Sequence, residues 1–306
     1  MQSRDPDEAD LPERVVRFLR AHWAPGLGMV DGADALFLAQ ALRGVAAPAR
    51  VVEIGCASGL STGLLALLLD GRAPDDSGPG GIDSFDLADH FYAAPERPLG
   101  YLLDSLEPPP RTAIRLHPGT TALDAAETLP AAQADLALID ANHRHPWPLI
   151  DTLCVLPLMR PGRLIVHHDL KMYRSATNPA AIGPKVLFDQ VPPRQRVTAR
   201  QVGTGRSASL PGRRMGGNIF AIRSQGEAGA LAAALAQGFY LPWTVRPPLE
   251  GAFAARLAAF LESRYPPEVA RAFAAGRARY ATAGRDAPPP SRPRRAMRRL
   301  RRLTGL

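Results

Sequence analysis

Residues 51–62, VVEIGCASGLST, constrain the fold more than any other segment of the chain. The apolar start of this segment predicts a buried strand, and Gly55 and Gly59 allow the backbone to turn sharply into a helix. That helix, predicted over Ser61–Leu69, is apolar nearly all round and stops at Gly71. A strand, a glycine turn and a buried helix in this order are typical of a parallel α/β sheet.

The rest of the chain repeats the alternation of short apolar strands with helices. Two last strands, near 196–202 and 218–223, flank a glycine-rich segment and predict a terminal antiparallel hairpin. The pattern predicts an α/β fold with a Rossmann-like, doubly wound, mostly parallel seven-stranded sheet. The parallel strands are predicted at 50–54, 82–87, 113–116, 134–139 and 163–166.

Four segments divide the chain of 306 residues, whose length suits one principal domain. The first carries amphipathic helix 11–23, and a second predicted helix, 32–43, opens the main domain. Ala-rich helices near 227–237, 249–263 and 267–281 follow the sheet. The predicted segments are an N-terminal helix and turn (1–30), the cofactor-binding domain (31–225), a small helical appendage (226–284) and a Pro/Arg-rich linker with a basic tail (285–306).

The formal net charge of +8 is concentrated in the tail. Residues 292–306 hold seven arginines and no acid, so that residues 1–291 carry only +1. A nearly neutral body lacks the broad positive surface of a nucleic-acid-binding protein, and motifs for base methylation are missing. Met297, Leu300 and Leu303 could form a basic amphipathic helix that contacts an anionic membrane or an acidic partner; the alternative is a solvated tail.

Cysteine content and hydropathy indicate the compartment. Cys56 and Cys154 are the only cysteines, which leaves no disulfide framework or four-cysteine metal site. The N-terminus lacks an apolar signal region, and no apolar run reaches the roughly 18 residues of a membrane span. We therefore expect a soluble, cytoplasmic protein, and leave a homo-oligomer open.

The glycine spacing after the first strand excludes two common nucleotide sites. A dinucleotide fingerprint, G-x-G-x-x-G, would need glycine where Ala57 and Leu60 stand. A phosphate-binding P-loop would need a lysine, and the turn has none. Because ligands of open parallel sheets bind at the carboxyl ends of the strands, the turn itself remains a cofactor site.

The remaining pattern, E-x-G-x-x-x-G, resembles the first motif of class I S-adenosylmethionine-dependent methyltransferases. The resemblance implies that the turn lies along the methionine and ribose portions of the cofactor, and that Glu53 lies near its ammonium group. An acid at the end of the second strand then binds the ribose hydroxyls: Asp86 is the better placed, and Asp83 is next. Gly119, Thr120 and Thr121 would line the adenine side. The implied cofactor contacts are Glu53, Gly55, Cys56, Ala57, Ser58, Gly59, Ser61, Asp86, Asp83, Gly119, Thr120 and Asp140.

Histidines and aspartates cluster after predicted strands four and five, and packing alone does not explain such a cluster. We expect His145 and His167 to be packed or solvated rather than functional. The other four are His143, His168, Asp140 and Asp169.

The region ALIDANHRHPWPLIDTLCVLPLMRPGRLIVHHDL resembles one methyltransferase branch, which includes catechol, sugar and macrolide O-methyltransferases. The shared pattern is Asp-x-x-His, a helix, Leu-x-Pro-Gly, and a strand ending in His-Asp or Asp-Asp. With the first motif and the terminal strand GGNIFAIR, the resemblance covers about residues 26–224. It implies methylation of a small-molecule hydroxyl, a sugar or a secondary metabolite; the alternatives are N-methylation or a binding protein that keeps the fold without transfer.

A hydroxyl must lose its proton as it is methylated, and either a histidine base or a divalent cation serves this need. The resemblance implies His143 or His168 as base, with Asp140 and Asp169 beside it. Asp140, Asp169 and His168 are the candidate ligands of Mg²⁺ or Mn²⁺. The chain departs from metal-binding relatives at 168–170, where it has His-Asp-Leu, and the metal stays open.

The acceptor pocket is expected between the loop 170–195, which follows the catalytic strand, and the turn near Trp23 to Val30. Lys171, Tyr173 and Trp23 are the candidate contacts.

Overall fold

The computed structural model describes residues 11–24, 30–72, 78, 80–201, 218–224, 228–245, 249 and 251–280. The first strand, β1 (Ala49–Ile54), is buried except at Arg50. Helix α3 (Leu60–Asp70) follows the glycine turn, and every residue from Leu60 to Leu69 is buried. The strand–turn–helix unit predicted from the sequence is confirmed.

One seven-stranded sheet organises the molecule. Its order is β5–β2–β1–β6–β7–β9–β8. The first five strands in that order are mutually parallel, and β9 is antiparallel to both of its neighbours. The predicted fold class, a mostly parallel sheet with a terminal antiparallel pair, is confirmed. Besides β1, the strands are β2 (Gly80–Asp86), β5 (Ala113–Pro118), β6 (Ala134–Ile139), β7 (Met159–His167), β8 (Arg196–Thr198) and β9 (Phe220–Arg223).

Helices cover both faces of the sheet, as burial of parallel strands requires. Neighbouring strand residues face opposite sides: Val51 packs with one set of helices and Val52 with the other. The helices on the Val51 side are α1 (Glu13–His22), α2 (Gly32–Leu42) and α3. Those on the Val52 side are α4 (Ala122–Thr128), α5 (Trp147–Val155), α6 (Gly183–Gln190), α7 (Ala228–Ala236), α8 (Gly251–Arg264) and α9 (Pro267–Tyr280).

The C-terminal helices are part of the Val52-side core. Leu231 of α7, Leu257 of α8 and Phe273 of α9 are buried in the same cluster as Leu153 of α5. The hydroxyl of Tyr265 donates to the backbone carbonyl of Leu153. These contacts brace α5, whose N-terminal end faces the candidate site. The proposed division of the chain into four segments stays a prediction.

Two features of the middle of the chain were not expected. A short hairpin, β3 (His90–Phe91) and β4 (Ala94–Pro98), stands between β2 and β5 and pairs only with itself. Strand β7 begins at Met159, four residues earlier than predicted, with a register shift against β6. The basic tail lies outside the described residues, and none of the described helices has the length and apolarity of a membrane span.

Candidate active site

Four segments of the chain meet at the carboxyl edge of the sheet. Gly55 follows β1, Asp86 ends β2, Asp140 follows β6 and Asp169 comes two residues after β7. Strands β2 and β5, which follow β1 in the chain, lie on one side of it, and β6 and β7 lie on the other side. The strand order therefore reverses between β1 and β6. Open parallel sheets bind ligands at such a reversal. A cavity of about 410 Å³ lies here, in the size range of small-molecule sites.

The glycine turn after β1 packs closely against the backbone of two other segments, at Asp140 and at Gly100. Gly55 has a φ of +98°, and a Cβ on it would lie 2.5 Å from the backbone oxygen of Asp140. Gly59, with a φ of +86°, immediately precedes α3, and a Cβ there would lie 2.9 Å from the Cα of Gly100. Glycine is required at both positions because the backbone is left-handed and a neighbouring backbone fills the space. Ala57 also has a positive φ, +48°.

The carboxylate of Asp86 holds this turn in place. Its Oδ2 accepts hydrogen bonds from the backbone N–H groups of Cys56, at 2.9 Å, and Ala57, at 3.0 Å. Its Oδ1 accepts from the backbone N–H of Ala88 at 2.9 Å. Asp86 also lines the cavity. Each carboxylate oxygen accepts up to two hydrogen bonds, so that the group keeps acceptor capacity for a ligand.

Glu53 lies behind the turn rather than in the cavity. Its side chain is fully buried, and Oε2 accepts hydrogen bonds from the hydroxyls of Thr62 at 2.5 Å and Ser84 at 2.6 Å. Oε1 is buried and has no hydrogen-bond partner among the described residues. Burial raises the pKa of Glu53, against the effect of the surrounding hydroxyls. Glu53 thus joins β1, β2 and α3 through these hydroxyls, and its expected place near a cofactor's ammonium group stays a prediction.

Asp83, the second choice for the ribose, is engaged elsewhere. Arg115 on the neighbouring strand donates to both of its carboxylate oxygens, at 2.9 and 3.2 Å, and Nε2 of His117 lies 3.0 Å from Oδ1. Burial alone would raise the pKa of Asp83, but these hydrogen bonds outweigh it and lower the pKa. Asp83 does not line the cavity. The β2–β5 register explains this, since it places Asp83 opposite Arg115.

Asp140, His143 and Asp169 form one cluster at the other end of the cavity. Nε2 of His143 lies 3.2 Å from Oδ1 of Asp140 and 3.3 Å from Oδ2 of Asp169. All three residues line the cavity, and one ligand atom from each lies within 4.8 Å of the others. Burial would raise the pKa of Asp140, but the positive charge of His168 and hydrogen bonds from both histidines outweigh it and hold the pKa well below its usual range.

Asp169 combines backbone strain with a carboxylate oxygen, Oδ2, that faces Nε2 of His143 without a hydrogen bond in the described chain. Its φ is +59°, a left-handed value that costs a non-glycine residue about 1–2 kcal/mol. Oδ1 accepts from the side-chain amide of Asn218 at 2.6 Å, whereas Oδ2 is buried and makes no hydrogen bond within the described chain. Burial raises the pKa of Asp169. The charge of His168 lowers this pKa, and the charge of Asp140 raises it further. Such strain is concentrated at functional sites.

His168 does not occupy the position expected of a base or a metal ligand. Its side chain is 3% exposed and does not line the cavity. Nε2 lies 2.9 Å from Oδ2 of Asp34 on α2, and Nδ1 lies 3.3 Å from Oδ1 of Asp140. Burial alone would lower the pKa of His168, but Asp140, Asp34 and Asp169 raise it well above its usual value. His168 is therefore a buried imidazolium that binds carboxylates through both nitrogens.

His145 and His167 are packed in the core, as the sequence analysis predicts. Nε2 of His145 lies 2.9 Å from the carbonyl oxygen of Gly238, and burial lowers the pKa of the ring to about 4. His167 contacts the hydroxyl of Thr152 at 3.0 Å and stacks on Phe220; burial lowers its pKa to about 3. Both rings are uncharged at neutral pH.

The structure brings most of the predicted site residues to one cavity. Those that line it are Gly55, Cys56, Ala57, Ser58, Ser61, Asp86, Thr120, Asp140, His143 and Asp169. Those that do not line it are Glu53, Gly59, Asp83, Gly119 and His168, together with the acceptor-pocket candidates Trp23, Lys171 and Tyr173. Thr121, expected with Thr120, lines the cavity as well.

Met172 and Asn178 of the loop 170–195, and Val30 of the turn before α2, line the cavity, as expected of the acceptor pocket, whereas sequence reasoning missed Tyr92, Trp147 and Asp151. Tyr92 follows Phe91 in the turn of the unexpected hairpin and lines the cavity, although it is 61% exposed. Trp147 and Asp151 are four residues apart on α5, so that they share one helix face. An acid in the apolar sequence LIDTLCV was the available signal for Asp151.

Residues 52–170 match the model of a protein family described as "Methyltransferase domain". No curated protein matches the chain. Over these residues the chain is similar to a methyltransferase domain, which confirms the resemblance drawn from the glycine turn and the strand-four to strand-five region.

Solved structures with a similar arrangement include O-methyltransferases. For the O-methyltransferase TomG from Streptomyces achromogenes, identity is 20%, the match covers 73% of this chain and 92% of that chain, and the TM-score is 0.45. For an O-methyltransferase from Bacillus cereus, identity is 19%, the match covers 73% of this chain and 93% of that chain, and the TM-score is 0.38. At these TM-scores the assignment of this chain rests on the family match and on its own sheet order.

Proposed function

We propose that this protein transfers a methyl group from S-adenosylmethionine to a hydroxyl of a small molecule. One observation carries the proposal. A single cavity joins the glycine turn and Asp86 to the cluster of Asp140, His143 and Asp169. The proposed cofactor site and a group able to take a proton from an acceptor therefore share one cavity, as methyl transfer to oxygen requires.

The residues at the turn fit S-adenosylmethionine, which supplies a methyl group on a positively charged sulfur. The backbone of Gly55 to Ser58 lines the cavity without bulky side chains, since a Cβ at Gly55 has no room. The carboxylate of Asp86 is held by three backbone N–H groups and keeps one acceptor site, on Oδ1, for a ribose hydroxyl. No lysine or arginine lines the cavity in the described part of the chain, which suits a ligand without phosphates.

His143 is the proposed general base. Its Nε2 faces the carboxylates of Asp140 and Asp169, which fixes the proton on that nitrogen and leaves Nδ1 to accept one. A phenol of pKa about 10, or a sugar hydroxyl above that value, is poorly ionised at neutral pH. A positioned base that accepts the proton in the transition state accelerates such a reaction by about 10²- to 10⁴-fold.

The cluster also fits a divalent cation. Two carboxylates and an imidazole lie within reach of one ion, and Oδ2 of Asp169 is a buried acceptor without a hydrogen bond in the described chain. Carboxylate oxygens suit Mg²⁺ or Mn²⁺, and such an ion would lower the pKa of the acceptor hydroxyl. The proposed ligands are Asp140, Asp169 and His143; His168, expected from the sequence, has both nitrogens engaged by carboxylates.

Calorimetric titration with S-adenosylmethionine and S-adenosylhomocysteine tests the cofactor, and we expect binding in the micromolar range. Absence of binding at millimolar ligand would overturn the proposal. A panel of hydroxyl and amine acceptors with labelled cofactor then separates O- from N-methylation. Asp140→Ala, His143→Ala and Asp169→Ala should each slow transfer, whereas Asp189→Asn, on the exposed side of α6, should not. Full activity of all three cluster variants would contradict the assignment.

A methyl-transfer assay in chelator, followed by addition of Mg²⁺ or Mn²⁺, distinguishes the two ways of removing the acceptor's proton: the His143 base and the divalent cation. Loss of activity that the ion restores supports the cation. Activity that persists in chelator and falls with His143→Ala supports the base.

Contact of the basic tail with an anionic membrane or an acidic partner stays a prediction, because residues 292–306 lie outside the described chain. Co-sedimentation of the full chain and of a 1–290 truncation with anionic vesicles tests it. Equal behaviour of the two would favour a solvated tail.

A further inference from the structure

A second, smaller cavity lies toward the other edge of the sheet. Its volume is about 160 Å³, and its wall is formed mainly by the C-terminal half of α2, the first half of β7 and the end of β9. Arg163, in this wall, precedes His167 by four residues, which is roughly 13 Å along an extended strand. Among the described residues, none lines both this second cavity and the candidate active site.

Arginine dominates the charged part of the second cavity. Arg43, Arg163 and Arg223 line it, and Asp135 is the one acid among the described residues of its wall. Asp135 is 1% exposed, and its two carboxylate oxygens already accept from Nη1 of Arg160 at 2.9 and 3.1 Å. An arginine outside the wall therefore balances the charge of Asp135, and the wall keeps a net positive charge.

Two of these arginines keep N–H groups for a ligand. Nη1 of Arg223 donates to the carbonyl oxygen of Gly162 at 3.2 Å, and no carboxylate in the described part of the chain pairs with this side chain. Nη1 of Arg163 donates to the carbonyl oxygen of Gly44 at 3.3 Å, and its Nε lies 3.5 Å from Oδ1 of Asp135. A guanidinium carries five N–H donors, so that both side chains have donors beyond these contacts. Neutral carbonyl oxygens do not cancel their charge.

The positive charge extends past the wall to Arg72. Its side chain donates to the carbonyl oxygen of Val45 at 2.9 Å, which holds it beside the segment that follows α2. Burial lowers the pKa of Arg72, and the charge of Arg43 lowers it further. Like charges held close together repel each other, and a bound anion relieves that repulsion.

We propose that the second cavity binds a phosphate group, either as inorganic phosphate or as part of a small phosphomonoester whose remainder stays outside. The planar fork of arginine matches phosphate oxygens and forms two parallel hydrogen bonds with them. The volume is below the roughly 300–1,000 Å³ of sites that enclose a whole drug-sized ligand, which suits a phosphate group alone. The bound group joins Arg43, after α2, to Arg163 and Arg223 on the two strands.

This inference goes beyond the proposed methyl transfer and does not depend on it. Calorimetric titration of the full chain with inorganic phosphate, at constant ionic strength, tests the site. Acetate serves as the comparison anion, and we expect saturable binding of phosphate and none of acetate. A parallel titration with phosphoserine identifies the source of the phosphate, because the tighter of the two ligands is the better match. Saturation by neither at millimolar concentration, or equal binding of acetate, would overturn the inference.

Variants establish where the phosphate binds, which matters because the arginines of the tail also attract anions. Arg43→Gln and Arg223→Gln each remove one guanidinium and should weaken phosphate binding about 10- to 100-fold. Arg271→Gln is the matched control, since it removes the same charge from an exposed position of α9 on the Val52 side and should leave the affinity unaltered.

Unaltered affinity in the two cavity variants, or an equal loss in all three, would overturn the inference. Denaturant unfolding without phosphate shows which variants fold, and either cavity variant suffices. The wild-type comparison of phosphate with acetate needs no variant, so that the inference can fail even if neither folds. S-adenosylhomocysteine binding is measured separately, and its absence would overturn the proposed function while leaving the phosphate site standing.

Discussion

The buried imidazolium of His168 offers the sharpest test of the electrostatics of this site. Replacing it by glutamine keeps a polar side chain of similar reach and removes the positive charge between Asp34 and Asp140. Both partners are largely buried, with side-chain exposures of 3% and 12%. The variant therefore leaves two carboxylates facing each other across a neutral side chain. Removing one member of a buried ion pair costs about 3–5 kcal/mol of unfolding free energy.

The cost should depend on pH in a defined way. The folded-state pKa of His168 is raised above its usual value near 6.5. Below that usual value the ring is protonated in both the folded and the unfolded chain, and its contribution to stability is fully present. Above it the unfolded chain loses the proton while the folded chain keeps it, so that the contribution falls by about 1.4 kcal/mol per pH unit until the folded pKa is reached. His168→Gln lacks this term.

Denaturant unfolding in chelator, from pH 6 to 9, measures the difference between wild type and variant. We expect the difference to be largest at pH 6 and to shrink with the slope given above. His167→Gln is the control: its ring is neutral when folded, with a pKa of about 3, so that its effect should be constant above pH 7. A loss below 1 kcal/mol for His168→Gln, or a loss that does not change with pH, would refute the buried imidazolium.

Three further predictions concern the turn and the base. Gly55→Ala should lose S-adenosylhomocysteine binding in calorimetry, because the added Cβ would lie 2.5 Å from a backbone oxygen. Gly44→Ala is the control: Gly44 also has a positive φ but has open space around it, so that this variant should bind normally. Equal affinities of the two variants would contradict the close packing of the turn. Asp86→Asn should weaken the same binding about 10- to 100-fold, since the amide loses acceptor capacity toward both the turn and the ribose; unaltered affinity would remove Asp86 from the cofactor site. His143→Gln should reduce the rate of methyl transfer by about 10²- to 10⁴-fold with unchanged cofactor affinity; a fall in affinity alone would assign the residue to binding rather than to proton transfer.

The sheet and most of the turn were predictable because they depend on local signals. An apolar run, two glycines and an apolar helix require little knowledge of distant residues, and the strands at 134–139 and 82–87 were recognised by the same pattern. The carboxyl ends of parallel strands meet at one edge, so that Asp86 and Asp140 could be assigned to one site from their positions in the chain.

Contacts between distant segments were not predictable in this way. The pairing of His168 with Asp34 joins residues 134 positions apart, and nothing in the segment around Asp34 marks it as a partner. The same limit applies to Asp83, whose engagement depends on the β2–β5 register, and to Tyr92, which reaches the cavity through a hairpin of two very short strands. Periodicity identifies elements, whereas cross-strand and cross-layer neighbours depend on how the elements pack.

These distant contacts explain the sequence His-Asp-Leu at 168–170, which differs from that of metal-binding relatives. His168 stands where metal-binding relatives were expected to carry an acid, and here it supplies a fixed positive charge to Asp140. That charge keeps the pKa of Asp140 low, while burial and the charge of Asp140 raise the pKa of Asp169. Two neighbouring carboxyl groups with pKa values pushed apart take different roles. Here the two groups lie on either side of Nε2 of His143, Asp140 with a lowered pKa at 3.2 Å and Asp169 with a raised pKa at 3.3 Å.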